Sequence, residues 1–199
     1  MGDLLAAKFA RVRGLVLDVD GVLTDGRLYY TGDGGESKAF HSRDGLGIKL
    51  LRRAGVAVAI ISARSSPVVA RRAAELGIAP VLQGCTDKLA GVREVGAVSG
   101  VGLERLAYMG DDLPDYCAMR AVGLALAPGD AHADILALAD WTAMAGGGCG
   151  AVREACDAIL RGSGQYSAVT AAFRGDMAGG DAGGAEAGGL ECQTQGQAR

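Results

Sequence analysis

Asp18 and Asp20 close an apolar, β-branched run, Leu15-Val16-Leu17-Asp18-Val19-Asp20-Gly21-Val22-Leu23-Thr24. Side chains two apart on a strand share a side, so both carboxylates can converge on one point at its C-terminal end. In open α/β sheets that end is where ligands bind. Further polar groups follow later strand-like runs in order: Ser62, Lys88 slightly beyond its run, and Asp111-Asp112 within Gly110-Asp111-Asp112-Leu113-Pro114-Asp115. These are the parts that phosphoryl transfer through an aspartyl-phosphate needs, with Asp18 as nucleophile. A carboxylate approaching a phosphate dianion is repelled unless a cation lies between them. A Mg²⁺ ion held by carboxylates and waters is therefore expected, with Asp111 as second ligand and Asp112 or Asp115 orienting the shell. Asp20 suits general acid and then general base, because an alkoxide leaves poorly without a proton and the later attacking water must lose one. Ser62 and Lys88 would hold the transferring oxygens by hydrogen bond and by charge. Singly, each residue has a plainer reading: Ser62 as a turn residue, Lys88 as a solvated lysine, Gly110-Asp111-Asp112 as a turn with a helix cap. Their occurrence in order on successive strand ends is what points to a site.

The elements that must position these groups follow from period and punctuation. A short helix or arm covers residues 1–13, and the first buried strand runs from about Gly14 to Val19. Arg27 to Thr31 and Glu36 to Phe40 flank the Gly-rich turn 32–35 and predict a hairpin standing beside Asp18 and Asp20 as a flap. A helix from about Asp44 to Ala54 leads into the apolar run 56–61, a second buried strand. Ser66 caps and Pro67 opens a helix through Leu76, closed by Gly77. Strands at 78–82, 106–109, 123–127 and near Trp141 alternate with helices starting at Asp87, after Pro114, after Asp130 and over 151–160. Such alternation predicts an α/β fold with a parallel sheet and helices on both faces.

With 199 residues, 49% hydrophobic and 22% charged, the chain can bury one core of roughly 160 residues plus a tail. The expected domain spans 1–161. Residues 162–199, rich in Gly and Ala, carry few large apolar groups to offset the entropy of ordering and are expected to be largely disordered beyond about Val169. A net charge of −3 with dispersed basic residues argues against a nucleic-acid binder. Five cysteines at irregular spacings, without a C-x-x-C, read as reduced thiols in a cytoplasmic protein. No signal peptide or membrane-spanning helix is indicated, so no membrane partner is expected.

With those residues in view, the chain resembles the haloacid-dehalogenase-like phosphohydrolases. Asp18-Val19-Asp20-Gly21-Val22-Leu23-Thr24 is similar to their first motif, Ser62 to the second, Lys88 to the third and Gly110 to Asp115 to the fourth, over essentially all of residues 14–161. The resemblance implies a Rossmann-like core, Mg²⁺ bound by Asp18, the Asp20 carbonyl and Asp111, and phosphomonoester hydrolysis. A narrower resemblance, to the 3-deoxy-D-manno-octulosonate 8-phosphate phosphatases, rests on Asp25-Gly26, Tyr29-Tyr30-Thr31, Phe40 to Gly47, Arg64 to Pro67, Arg71-Arg72, Glu75 to Gly77 and Gln83-Gly84. That subgroup has a hairpin flap in place of a cap domain. The resemblance implies a sugar-acid phosphate as substrate, a homotetramer in which each hairpin and tail closes a neighbour's site, and a product that feeds lipopolysaccharide synthesis. It also implies substrate contacts from His41, Ser42, Arg43, Asp44 and Gly45 and from Lys49, Arg64 and Arg72, beside Asp20, Ser62 and Lys88. Arginines suit a ligand with a carboxylate at one end and a phosphate at the other. His41 has an equal claim as a structural hydrogen-bonder, and one of Arg71 and Arg72 must face solvent.

The second motif departs from the family in reading Ser62-Ala63-Arg64, with alanine where glycine is usual; a positive φ there would strain the backbone and displace Arg64. Nonulosonate 9-phosphate phosphatases share the same order of motifs. A phosphoacceptor signalling module or a non-catalytic oligomerisation module also fits such a fold. Asp20 and the hairpin argue against the first, and the complete set of motif residues argues against the second.

Overall fold

Gly14–Leu17 (β1) is buried at every position, as a β-branched run without polar alternation requires. It sits at the centre of the sheet of a computed structural model that describes residues 2–175. Ala57–Ser62 (β4) pairs with it on one side and Leu106–Met109 (β6) on the other, both parallel. Val81–Gln83 (β5) closes one edge, while Leu124–Ala127 (β7) and Trp141–Thr142 (β8) extend the other, giving one six-stranded sheet in the order β5-β4-β1-β6-β7-β8. Tyr29–Tyr30 (β2) and Glu36–Ser37 (β3) form a separate antiparallel hairpin, shorter than the sequence pattern suggests.

Alternate β1 side chains feed two cores. Leu15 and Leu17 pack with Phe9 of Asp3–Arg11 (α1), Ile48 and Leu51 of Ser42–Arg53 (α2), Val69 of Pro67–Leu76 (α3) and Ile159 of Ala151–Gly162 (α7). Val16 packs on the opposite face with Val92 of Lys88–Ser99 (α4), Met119 of Tyr116–Ala121 (α5) and Ile135 of Ala133–Leu138 (α6). Each Leu or Val so buried contributes about 1.5–3 kcal/mol, which fixes the register of a strand that ends in acidic groups. No helix among the described residues is long and apolar enough to cross a membrane.

Helical structure continues past the expected domain boundary at 161. The last core helix reaches Gly162, and Tyr166–Arg174 (α8) follows it. Tyr166 and Val169 pack against the core, Thr170 is buried, and the Arg161 guanidinium lies 4.2 Å over the Tyr166 ring. These few large groups supply burial that the average composition of 162–199 conceals. The remainder of the expected tail, 176–199, lies outside the described residues.

Candidate active site

The two parallel neighbours of β1 explain why distant motifs meet. Leu17 is in register with Ile60 and Met109, so Ser62 and Asp111 emerge on either side of Asp18 at the C-terminal edge of the sheet. The Asp18 amide still donates to the Met109 carbonyl, at 3.1 Å, and Asp18 is only 6% exposed. Beyond it the amides of Val22, Leu23 and Thr24 all converge on the Val19 carbonyl, turning the chain sharply. Gly21 has φ +94°, and a Cβ there would lie 2.0 Å from Asp111 Oδ2. Only glycine lets the first-motif turn and the fourth-motif carboxylate approach so closely. A Cβ on Gly147 would meet the Gly21 carbonyl at 1.8 Å, and Gly148 donates to the Val22 carbonyl at 3.0 Å. The glycine run 146–148 therefore braces this turn from behind, a role the sequence reading did not assign to it.

Lys88, the first residue of α4, is 4% exposed; its Nζ lies 2.9 Å from Asp18 Oδ1 and 2.6 Å from Asp115 Oδ1. Burial disfavours the ammonium, but the two carboxylates outweigh it and hold the Lys88 pKa above its ordinary value. Of the two candidates for orienting a metal shell, Asp115 and not Asp112 is bonded to the strand-end groups. Its Oδ1 also accepts from the Tyr108 hydroxyl at 2.7 Å, and its Oδ2 accepts from the amides of Asp111 and Asp112. Burial, with Asp115 beside it, pushes the Tyr108 hydroxyl well up, so it stays a donor. Asp112 instead caps the following turn by accepting from the Leu113 amide at 2.8 Å.

Asp18, Asp20, Ser62, Arg64, Lys88 and Asp111 line one pocket, as the sequence reading requires. No residue other than glycine has a positive φ among the described residues, so Ala63 is unstrained and leaves Arg64 in place. Ser62 Oγ accepts from the Arg64 amide at 3.2 Å. The remaining expected contacts are placed elsewhere. His41 caps α2, its Nδ1 accepting from the Arg43 amide at 3.3 Å, with Ser42 and Arg43 exposed beside it. Asp44 is 2% exposed, and its Oδ1 accepts from the Arg153 amide at 2.8 Å, so it is a buried tie from α2 to the start of α7 rather than a pocket residue. Gly45 is buried where a Cβ would lie 2.4 Å from Arg72 Nη2; Arg72 itself lies over the Phe40 ring and pairs with Glu75. Lys49 lines a depression of about 460 Å³ with Arg52, Arg53 and Glu75, against about 270 Å³ for the carboxylate pocket. The smaller pocket is the candidate active site, because of the two it is the one that holds a buried carboxylate beside a buried lysine.

Lys38 and Glu36 escaped the sequence reading. The alternation Glu36-Ser37-Lys38 turns both charged side chains to one side of the flap. Lys38 Nζ contacts Asp20 Oδ1 and Glu36 Oε1, and Arg64 Nη2 reaches Glu36 Oε1 at 3.0 Å.

Oxygens of Asp18, Asp111 and Asp115 lie within 4.8 Å of one another. Asp115 is already engaged by Lys88, Tyr108 and two amides, which leaves Asp18 and Asp111 to hold a cation. Burial, with neighbouring carboxylates, pushes Asp18 up to about 6 and Asp111 up to about 8, so Lys88 alone does not offset the clustered acidic charge. An all-oxygen set of clustered carboxylates fits Mg²⁺. Both carboxyls are raised, so their contribution to stability is full below the ordinary carboxylate range and is lost as pH rises through about 6 and then about 8. Metal-free protein is therefore expected to melt at progressively lower temperature across that interval. Mg²⁺ should raise Tm more at about pH 8.5 than at about pH 5.5, where protons compete for the same oxygens. Thermal melts in Mg²⁺ and in EDTA at the two pH values check this; equal Mg²⁺ shifts at both would detach the cation from these carboxylates.

The sheet order, the strand-end carboxylates and the buried lysine define a hydrolase of the HAD superfamily. A structure from Legionella pneumophila assigned to that superfamily, subfamily III A, superposes with TM-score 0.83 at 39% identity, covering 87% of this chain and 95% of that one. No protein-family model matches. A 3-deoxy-D-manno-octulosonate 8-phosphate phosphatase from Escherichia coli K12 is 43% identical over 159 residues, 80% of this chain and 85% of that protein. The Moraxella catarrhalis enzyme of the same name, solved with magnesium, phosphate and KDO, is 39% identical at TM-score 0.84, covering 87% of this chain and 99% of that one. The chain belongs to the 3-deoxy-D-manno-octulosonate 8-phosphate phosphatase family.

Proposed function

We propose that the chain hydrolyses 3-deoxy-D-manno-octulosonate 8-phosphate to 3-deoxy-D-manno-octulosonate and inorganic phosphate. The observation that carries this reading is the buried Asp18 carboxylate 2.9 Å from Lys88 Nζ, with Asp20 two residues on in the same pocket. An Asp18 oxygen attacks phosphorus as the bond to the sugar oxygen breaks, and Asp20 delivers its proton to that oxygen. Asp20, now a carboxylate, takes a proton from water as the water attacks the same phosphorus. The bond to Asp18 breaks, phosphate leaves, and both carboxyls return to their starting states. Ser62 and Lys88 hold the transferring oxygens throughout. Mg²⁺, when bound by Asp18 and Asp111 with the Asp20 carbonyl that the family resemblance adds, supplies the charge that offsets repulsion between carboxylate and phosphate.

Arg64 stands ready for the sugar acid within the pocket. His41, Ser42, Arg43, Lys49 and Arg72 lie outside its lining, and in this reading they meet the sugar end across a subunit boundary of a homotetramer, with the buried Gly45 giving room to Arg72. The exposed flap residues Tyr29 and Tyr30, at 42% and 67%, support such a boundary. A cytoplasmic enzyme supplying lipopolysaccharide synthesis completes the proposal; the free thiols Cys85, Cys117, Cys149 and Cys156 suit a reducing compartment.

Phosphate release from the octulosonate 8-phosphate, a nonulosonate 9-phosphate and an aryl phosphate, each with Mg²⁺ and with EDTA, tests the reading. Fast Mg²⁺-dependent turnover of the first over the others is expected; preference for the nonulosonate would reassign the substrate. Lys49→Ala and Arg72→Ala are expected to raise KM for the sugar acid about tenfold or more while sparing the aryl phosphate. Equal losses on both substrates would remove those residues from the sugar end.

A further inference from the structure

The flap is too small to hold its own position. Its strands have two residues each, and an isolated hairpin of that size has no independent stability. What seats it is a ring of four charges. Lys38 Nζ contacts Asp20 Oδ1 and lies 3.4 Å from Glu36 Oε1; Arg64 Nη2 lies 3.0 Å from the same Glu36 oxygen, and Arg64 Nε lies 3.8 Å from Asp20 Oδ2. The Lys38 side chain is 2% exposed, although it stands on an exposed hairpin, so its ammonium is committed to this ring. The two oxygens of Asp20 are thereby made unequal. Oδ1 accepts a hydrogen bond from Lys38, whereas the Arg64 separation from Oδ2 is an ion-pair distance too long for a hydrogen bond.

We propose that Lys38 is a positioning residue for proton transfer: it fixes the Asp20 carboxyl through Oδ1 and leaves Oδ2 to exchange the proton with the leaving oxygen and the attacking water. The seating of the flap and the aim of the acid–base group are then one event, because the same ammonium makes both. The proposal rests on the role given to Asp20 above. Misplacing a catalytic group by a fraction of its reach costs on the order of 10²-fold in rate.

The test compares wild type, Lys38→Met, Lys38→Arg, Asp20→Asn and the Lys38→Met/Asp20→Asn double variant, each with its Tm and subunit assembly measured. Sugar-acid phosphate and para-nitrophenyl phosphate serve as substrates. Lys38→Met is expected to lower kcat on the sugar-acid phosphate by about 10²-fold with little change in KM. It should keep a rapid burst of nitrophenolate, whose departure needs no proton, followed by slow steady-state turnover. Lys38→Arg should recover most of the loss, and in the Asp20→Asn background Lys38→Met should cost nothing further. Losses of the same size in both backgrounds, or suppression of the burst together with the steady state, would overturn the proposal and leave Lys38 a flap anchor only. Wild-type protein that releases phosphate from neither substrate would instead overturn the phosphatase reading itself.

Discussion

Asp18→Asn is expected to lower phosphate release by about 10⁴-fold or more, to background, while the protein stays folded. The amide cannot attack phosphorus, and the neighbouring Asp115 is already held by Lys88, Tyr108 and two amides. Folding should survive for a reason visible in the same geometry. Lys88 keeps Asp115 at 2.6 Å as a partner, so the substitution does not strand a buried ammonium. Because burial and Asp115 raise Asp18 to about 6, its ionised form costs stability in metal-free protein above that pH. Metal-free Asp18→Asn is therefore expected to melt at or above the wild-type temperature near neutral pH, a site where stability is given up for function. Retained turnover would remove Asp18 as nucleophile. Lost turnover with a collapsed melting transition would make its role structural.

Asp20→Asn is expected to lower kcat on the sugar-acid phosphate by about 10²–10⁴-fold and to leave Mg²⁺ binding nearly intact. Asp20 is half-buried and pairs with Lys38 and Arg64 rather than with the Asp18, Asp111 and Asp115 cluster, so the cation site loses no side-chain ligand. The asparagine amide oxygen can still accept from Lys38, which keeps the flap seated. Both halves of the reaction need Asp20, but a nitrophenolate leaving group removes the need in the first half. With para-nitrophenyl phosphate the variant should therefore build up phosphoenzyme that hydrolyses slowly. Rapid-quench counting of protein-bound phosphate checks this; wild-type turnover on the sugar acid would strip Asp20 of its acid–base role.

Much of this arrangement was legible in the chain because its strongest signals are local. The β1 run, the Leu106–Met109 strand and the Pro67–Leu76 helix announce themselves through continuous apolar runs or through Pro and Gly at their ends, and each is found where the pattern puts it. The pocket formed by Asp18, Asp20, Ser62, Lys88 and Asp111 followed because parallel strands bring their C-terminal ends to one edge. What escaped depends on contacts between distant segments. Asp44 reads as the start of a helix and, by resemblance, as a substrate contact, yet its carboxylate meets the Arg153 amide across 109 residues of chain. Lys38 belongs to none of the sequence motifs, and only the folded flap shows it reaching Asp20. Gly147 carries no side-chain signal; its need for glycine arises from the Gly21 carbonyl it faces. In 162–175 a composition average hid Tyr166, Val169 and Thr170, which are enough to order one more helix.

The central claim is a covalent phosphoryl group on one particular carboxylate, and trapping it is the most direct measurement. Enzyme turning over para-nitrophenyl phosphate with Mg²⁺ is quenched and treated with borohydride, which reduces an acyl phosphate to an alcohol and spares free carboxylates. Peptide mass spectrometry is expected to find homoserine at position 18, in wild type and more abundantly in Asp20→Asn, and nowhere else in the pocket. Turnover without homoserine at 18, or with it at 20 or 111, would contradict the account.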